Sequence, residues 1–181
     1  MPRYVALLSS VNVGGNQVKM TDLKAALESC GLENVSTVTA SGNVIFDHPQ
    51  AADAALAKQI GDCVQERFGF RTFAAVRTAA ELTAAVKESP FRGDSDDKFI
   101  HIHFLDTPLR DAAYKALLAA HEGKGQEKFA PGSAHVHIDF VDGVGNSKVT
   151  RPFLEKHLGC MGTARNLRSL ERIVEAMETR K

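Results

Sequence analysis

The chain has 181 residues, of which 44% are hydrophobic and 24% charged. This composition is ordinary for a folded globular protein and excludes extended disorder. The 22 basic and 22 acidic side chains balance, so no overall positive charge favours coating of nucleic acid. The early apolar run from Val5 to Leu8 is too short to span a membrane, and we expect neither a signal peptide nor a membrane partner.

The cysteines indicate a reducing environment. Cys30, Cys63 and Cys160 form no C-x-x-C motif and no even set. We therefore expect no disulfide framework and a cytoplasmic location.

The first 78 residues alternate between strand and helix patterns. Two amphipathic helices are predicted, each followed by a glycine (Gly31 and Gly69) that ends it. The predicted strands are Arg3–Leu8, Val35–Ala40, Asn43–Asp47 and Phe70–Arg77. The resulting β-α-β-β-α-β order is typical of ferredoxin-like domains, so we predict such a domain over residues 1–78.

Residues 79–181 predict a second α+β domain that is smaller in sheet and richer in helix. Only two strands are predicted there, Lys98–Asp106 and Ala134–Val141. Four helices are expected, the first opened by a capping box at 78–81, the next capped by Thr107-Pro108, then one over 150–158, and the last with Thr163 as N-cap. Strands and helices do not alternate regularly enough for a doubly wound sheet, so the whole chain is α+β, and no internal repeat is evident.

A glycine pair marks the first candidate site, Asn12-Val13-Gly14-Gly15-Asn16. Paired glycines let a backbone approach a ligand, and the helix start just beyond favours negative charge. A tight turn needs the same residues, and neither the dinucleotide nor the Walker spacing is present. The hairpin tip Ser41-Gly42-Asn43 is a further candidate, although backbone angles alone also select these residues.

The C-terminal 35 residues carry eight basic and four acidic side chains, which directs the search for an anion site there. Ser147 and Lys148 follow a glycine loop that suits an anion nest, or a flexible turn with a surface lysine. Arg165 and Asn166 are predicted in the first turn of the last helix. A cation there opposes the helix dipole, and either a bound anion or solvent exposure explains it.

Four histidines raise the question of a metal. His101 and His103 share one strand face, as do His135 and His137. If the two strands pair, four ring nitrogens and Asp139 are available as ligands. The alternative that we favour treats these histidines as the polar face of half-buried strands, so we predict no metal and no cofactor.

These motifs together resemble a bacterial family called domain of unknown function 1697. The matching segments are Val11 to Gly15, Lys19-Met20, Asp22-Leu23, Ser41 to Phe46, Ser147-Lys148 and Gly162 to Asn166. The resemblance implies a ferredoxin-like first half and no established activity. The chain departs from the family pattern at Ser9-Ser10, where Arg-Gly is usual, at Val38-Thr39-Ala40, where an aromatic residue and Gln are usual, and at Leu167, where Trp is typical.

We expect a small anionic ligand, bearing a phosphate or a nucleotide, between the two halves of the chain. The expected ligand-binding residues are Asn12, Gly14, Gly15, Ser41, Gly42, Asn43, Ser147, Lys148, Arg165 and Asn166. The alternatives are an enzyme acting on such a ligand, for which His157 is the only acid–base candidate, and a nucleic-acid or protein interaction module. Nucleic acid is disfavoured because the aromatic motif of that module is absent. The sequence defines no catalytic residue and no oligomeric state.

Overall fold

The computed structural model describes residues 1–180, which form eight strands and six helices. The N-terminal elements are β1 (Arg3–Leu8), α1 (Met20–Ser29), β2 (Glu33–Val38), β3 (Asn43–Asp47), α2 (Ala54–Phe68), β4 (Ala74–Thr78) and α3 (Ala79–Lys87). They are followed by β5 (Ile100–Leu105), α4 (Asp111–His121), β6 (Lys128–Pro131), β7 (His135–Asp139), α5 (Arg151–Leu158), β8 (Gly162–Asn166) and α6 (Leu167–Thr179). The α+β class is confirmed. No helix within residues 1–180 has the length and apolarity needed to cross a membrane.

The first sheet is antiparallel in the order β2-β3-β1-β4. Alternate residues of its strands, such as Leu8, Val44 and Phe46, pack against α1 and α2 through fully buried side chains including Leu27 and Ile60. Burial of each such side chain contributes about 1.5–3 kcal/mol. The four strands and two helices predicted for this region are confirmed.

The second sheet repeats this arrangement. Its order is β6-β7-β5-β8, again antiparallel, and its strands and helices follow the same β-α-β-β-α-β succession. The prediction of a smaller, two-stranded second sheet is therefore wrong, because β6 and β8 were not anticipated. The repeat lies in topology and not in residue identity, which is why the sequence does not display it.

The last strand and the last helix require a correction. Thr163 is not a helix N-cap, because residues 162–166 pair with β5 as β8. The helix begins at Leu167, and the Asn166 side-chain oxygen accepts a hydrogen bond from the Ser169 amide at 2.8 Å. Arg165 therefore lies in a strand and not in a helical first turn. The Thr107-Pro108 cap is also wrong, since α4 begins at Asp111 after Arg110.

The described contacts divide the chain into two compact units. One comprises residues 1–82 together with the C-terminal residues from Arg172, and the other comprises residues 83–171. In the first unit the Arg3 guanidinium donates to the carbonyls of Met177 and Arg180, and Arg180 donates to Ser36 Oγ at 2.7 Å. These bonds attach the chain end to the first unit. The predicted boundary after residue 78 stays a prediction.

A disulfide joins the two helices of the first unit. Cys30, the C-cap residue of α1, is bonded to the buried Cys63 of α2, with their Cα atoms 6.4 Å apart. The expectation that the cysteines form no disulfide is wrong, and only Cys160 remains a free thiol. The cytoplasmic location stays a prediction, and this disulfide weakens its basis.

Candidate functional site

Two loops of the first unit meet at one end of its sheet. They are residues 9–18, between β1 and α1, and residues 39–42, between β2 and β3, and we call them the N-terminal loop cluster. The side-chain nitrogen of Asn12 donates to the carbonyls of Ala40 at 2.7 Å and Val18 at 3.2 Å. Its oxygen accepts from the Val18 amide at 2.8 Å. Asn12 therefore ties the two loops together.

Gly42 allows the two loops to approach closely. Its carbonyl accepts a hydrogen bond from the Leu8 amide at 2.9 Å. A Cβ added at Gly42 would lie 3.0 Å from the Val11 side chain, and the residue has a φ of +82°. Both the space and the backbone angle therefore require glycine here.

Left-handed backbone conformations are concentrated in this cluster. Ser10, Asn12 and Thr39 have φ values between 55° and 63° although none is glycine. Gly14 and Gly15 have φ values of +61° and +90°. A left-handed residue next to a right-handed or turn residue directs successive backbone N–H groups to one side, and such segments form anion-binding concavities. Non-glycine residues in this region carry strain that clusters at functional sites.

The glycine pair presents hydrogen-bond donors to solvent. The N–H groups of Val13, Gly14 and Gly15 donate to no acceptor in the described part of the chain. Val13 is 65% exposed, and a Cβ at either glycine would meet nothing within 4 Å. Lys19, the N-cap residue of α1, is the first cation after this loop, and its side chain is exposed. The cluster is thus open, donor-rich and close in sequence to a positive charge.

Asn43 supports the turn from inside the sheet. It is fully buried, and its amide donates to the Val38 carbonyl and to Thr39 Oγ1, both at 3.0 Å. It therefore positions Thr39 and the turn, while Ser41 is exposed at the tip. Asn12 and Gly42 lie where the two loops meet, whereas Gly14 and Gly15 belong to the first loop and Ser41 to the second.

In the second unit Ser147 is held by a carboxylate. Its hydroxyl donates to Glu127 at 2.5 Å, and the other oxygen of Glu127 lies 2.7 Å from His121 Nε2. These two bonds lower the pKa of Glu127, although burial opposes them. The hydroxyl is bonded to the carboxylate and not to the imidazole, so the arrangement does not activate a nucleophile. Lys148 is exposed on the following turn.

Arg165 occupies a different environment. It is 9% exposed, and its guanidinium donates to Thr163 Oγ1 and to the Ala164 carbonyl, both at 2.9 Å. Burial lowers its pKa to about 10, which leaves it charged at neutral pH. Asn166 caps α6, as described above.

The strands β5 and β7 pair, but their register separates the two histidine pairs. His137 lies opposite Ile102, and His135 opposite Phe104, whereas His103 lies opposite Val136. Cross-strand partners share a face and neighbours alternate. His101 and His103 therefore face away from His135 and His137, which excludes the four-histidine site considered above. The interpretation as the polar face of half-buried strands is also wrong, since three of the four histidines are buried.

The second unit contains a cavity of about 720 Å³ that none of the predicted residues lines. Its wall includes Asp106, Thr107, Arg110, Glu155 and Cys160. Burial raises the pKa of the Cys160 thiol, so the nucleophilic thiolate is disfavoured. The loop after β5 that lines this cavity is the topological counterpart of the loop after β1. A sequence reader who recognised the repeated topology would therefore have examined the loop after β5 as well as the loop after β1.

The fold and these loops define a two-unit α+β protein with donor-rich loops at a sheet end. The family model described as Protein of unknown function (DUF1697) matches residues 1–137, and the chain belongs to this family. The resemblance noted in the sequence is therefore confirmed, although the Ser147-Lys148 and Gly162–Asn166 motifs lie beyond the matched residues.

A solved structure shares the fold over the whole chain. It is described as that of conserved bacterial protein SP0830 from Streptococcus pneumoniae, with 19% sequence identity and a TM-score of 0.71 over 99% of both chains. At this identity the likeness concerns the fold alone. No curated protein matches the chain significantly.

Proposed function

We propose that the protein binds a small phosphate-bearing anion, such as a nucleotide or a sugar phosphate, at the N-terminal loop cluster. The observation that carries this proposal is the row of three N–H groups at Val13, Gly14 and Gly15 that lack a protein acceptor within residues 1–180. Consecutive donors of this kind suit the oxygens of a phosphate.

The rigidity of the cluster supports the same proposal. Asn12 spans both loops with three hydrogen bonds, so the donors are held in place before a ligand arrives. Such preorganisation lowers the entropic cost of binding. The proposed roles are backbone donation by Gly14 and Gly15, positioning by Asn12, Gly42 and Asn43, and hydroxyl donation by Ser41.

Four residues of the second unit are proposed to contribute to anion binding because of their chemistry alone: Ser147, Lys148, Arg165 and Asn166. Lys148 offers a charged amine and Ser147 a hydroxyl already bonded to Glu127. Arg165 is bonded within its own strand, and Asn166 caps α6. Lys148→Ala is therefore the informative variant, since this side chain is exposed.

We also infer that each unit is a ferredoxin-like domain. Support comes from the β-α-β-β-α-β succession and from strand orders that match between units. The inference is independent of the ligand.

Thermal unfolding with added phosphates tests the binding proposal. The probes are inorganic phosphate, ADP and ribose 5-phosphate, with sodium chloride at equal ionic strength as the control. At a ligand concentration one hundred times Kd, binding stabilises the folded state by about 2.7 kcal/mol. A saturable rise of the unfolding temperature with at least one probe is expected, and no rise beyond the salt control with any of them would contradict the proposal.

A further inference from the structure

We propose that Glu88, His135 and His137 form a binding site for a divalent transition metal, best suited to Zn²⁺, in the second unit. All three residues belong to the second unit, and the site does not depend on the proposed anion binding. It departs from the expectation of no metal, and it shares only His135 and His137 with the four-histidine site considered there.

The strand geometry supplies two of the ligands. His135 and His137 are two residues apart in β7, so both side chains lie on the same face. β7 is an inner strand between β5 and β6, with Ile102 and Phe104 of β5 as cross-strand neighbours. The imidazole rings have centroids 4.8 Å apart and are mutually perpendicular. The two imidazoles are thus adjacent on one face of the sheet, beside apolar side chains of the neighbouring strand.

The third ligand comes from the segment after α3. Glu88 Oε2 lies 3.7 Å from His135 Nε2, which is too long for a hydrogen bond. Ligand atoms of all three residues lie within 4.8 Å of one another. Two atoms bound to one tetrahedral zinc at about 2.1 Å lie about 3.4 Å apart. Small side-chain rotations therefore bring the three groups into range.

The burial of His137 and the missing partner of one of its ring nitrogens indicate a ligand independently of the strand geometry. This side chain is 1% exposed, and its Nδ1 atom has no hydrogen-bond partner within residues 1–180. A buried polar atom without a partner is costly, by about 1–3 kcal/mol, and such atoms often mark an ion or a water. Burial lowers the pKa of His137, against the opposing effect of Glu88, which favours the neutral imidazole that metals bind.

Neighbouring groups explain why the site stops at three ligands. Asp139 lies on the same face but is already bonded to Ser95 Oγ at 2.9 Å and to the Val141 amide at 2.8 Å, with Lys128 Nζ at 3.2 Å. Glu88 is 58% exposed in its side chain, which gives the metal a path from solvent. Two histidines and one carboxylate form the donor set of zinc sites that keep an open position.

Zinc titration of the protein tests this site. The protein is stripped with a chelator and carries Cys160→Ser, so that the free thiol does not bind zinc. Affinity is measured by competition with a chromogenic chelator, and the ligand field by the visible absorption of bound Co²⁺. We expect one equivalent of Zn²⁺ and a Co²⁺ spectrum of low coordination number.

The variants are Glu88→Gln, His137→Asn and, as the matched control, His103→Asn. His103 is equally buried at 1% and its ring nitrogens also lack partners within residues 1–180, but it faces the other side of the sheet. Glu88→Gln should weaken zinc binding about tenfold or more, and His137→Asn should abolish it, while His103→Asn retains it. Glu88 is exposed, so Glu88→Gln decides the question if His137→Asn does not fold. Absence of stoichiometric zinc binding, or affinity unchanged in Glu88→Gln, would overturn the proposal.

Discussion

At the residue scale, two histidines of β5 make the stability of the fold sensitive to acid. Burial lowers the pKa values of His101 and His103 from 6.5 to about 4. Between these two values the unfolded chain binds protons that the folded chain does not. The free energy of unfolding is therefore unaffected by these two residues above pH 6.5, and they lower it as the pH falls from 6.5 towards 4.

We predict that the free energy of unfolding decreases between pH 6.5 and pH 4.5. His103 contributes up to about 2 kcal/mol of this loss, and the partly exposed His101 contributes less. Urea unfolding at pH 7.5, 6.0 and 5.0 measures the slope. His103→Gln should reduce the slope around pH 5 by about 1 kcal/mol per pH unit. An identical slope in the variant would contradict the prediction.

A second residue-scale prediction concerns Gly14. Gly14→Ala places a Cβ in open space next to the proposed phosphate, in a conformation that is unfavourable for alanine by about 1–2 kcal/mol. Gly69→Ala is the matched control, because Gly69 has a φ of +77° and equally open surroundings but ends α2. Both variants should lose similar stability in urea unfolding.

Only Gly14→Ala should lose affinity for the phosphate probe that stabilises the parent protein. Calorimetric titration measures this, with an expected loss of tenfold or more that corresponds to about 1.4 kcal/mol. Equal affinities for the two variants would show that the glycine loop is only a turn.

At the scale of elements, the disulfide connects α1 and α2 across 33 residues. Closing a loop of this length stabilises the folded state by about 4 kcal/mol in the chain-entropy model. We predict that Cys30→Ser lowers the unfolding temperature of the oxidised protein, while Cys160→Ser does not. Thiol titration of the denatured, unreduced protein should give one free thiol, and three would contradict the assignment.

The sequence predicted elements best where two signals agreed. The helix ending at Gly69 combines a clear apolar face with a glycine in the left-handed conformation. The capping box predicted at Thr78 is also present, with the Glu81 amide 3.1 Å from Thr78 Oγ1. Local chemistry sufficed in these places because the interactions lie within a few residues of one another.

The elements that the sequence missed depend on distant partners. β6 is a four-residue edge strand that ends in Pro131, which masks its pattern. β8 contains Thr163 and Asn166, both good N-cap residues, and only pairing with β5 decides between strand and helix. The convergence of the two loops of the cluster rests likewise on the Asn12–Ala40 bond across 28 residues. No local pattern reveals such contacts.

At the scale of the whole molecule, the chain is two copies of one topology with different surfaces. In the first unit the loop after β1 is rich in glycine and exposed donors. In the second unit the corresponding loop lines a cavity with charged side chains and a thiol. We infer that the backbone donors proposed for the anion belong to the first unit, and that the second carries the proposed metal site.

Amide chemical shifts test anion binding at the N-terminal loop cluster most directly, in a titration with the phosphate probe that raises the unfolding temperature most. The spectra of the ¹⁵N-labelled protein report on every backbone N–H, and sodium chloride at equal ionic strength serves as the reference. Phosphate binding at the cluster predicts saturable shifts that are largest at Val13, Gly14 and Gly15, with smaller changes at Ser41 and Gly42. Shifts that do not saturate, or that are confined to residues outside 9–18 and 39–42, would contradict it.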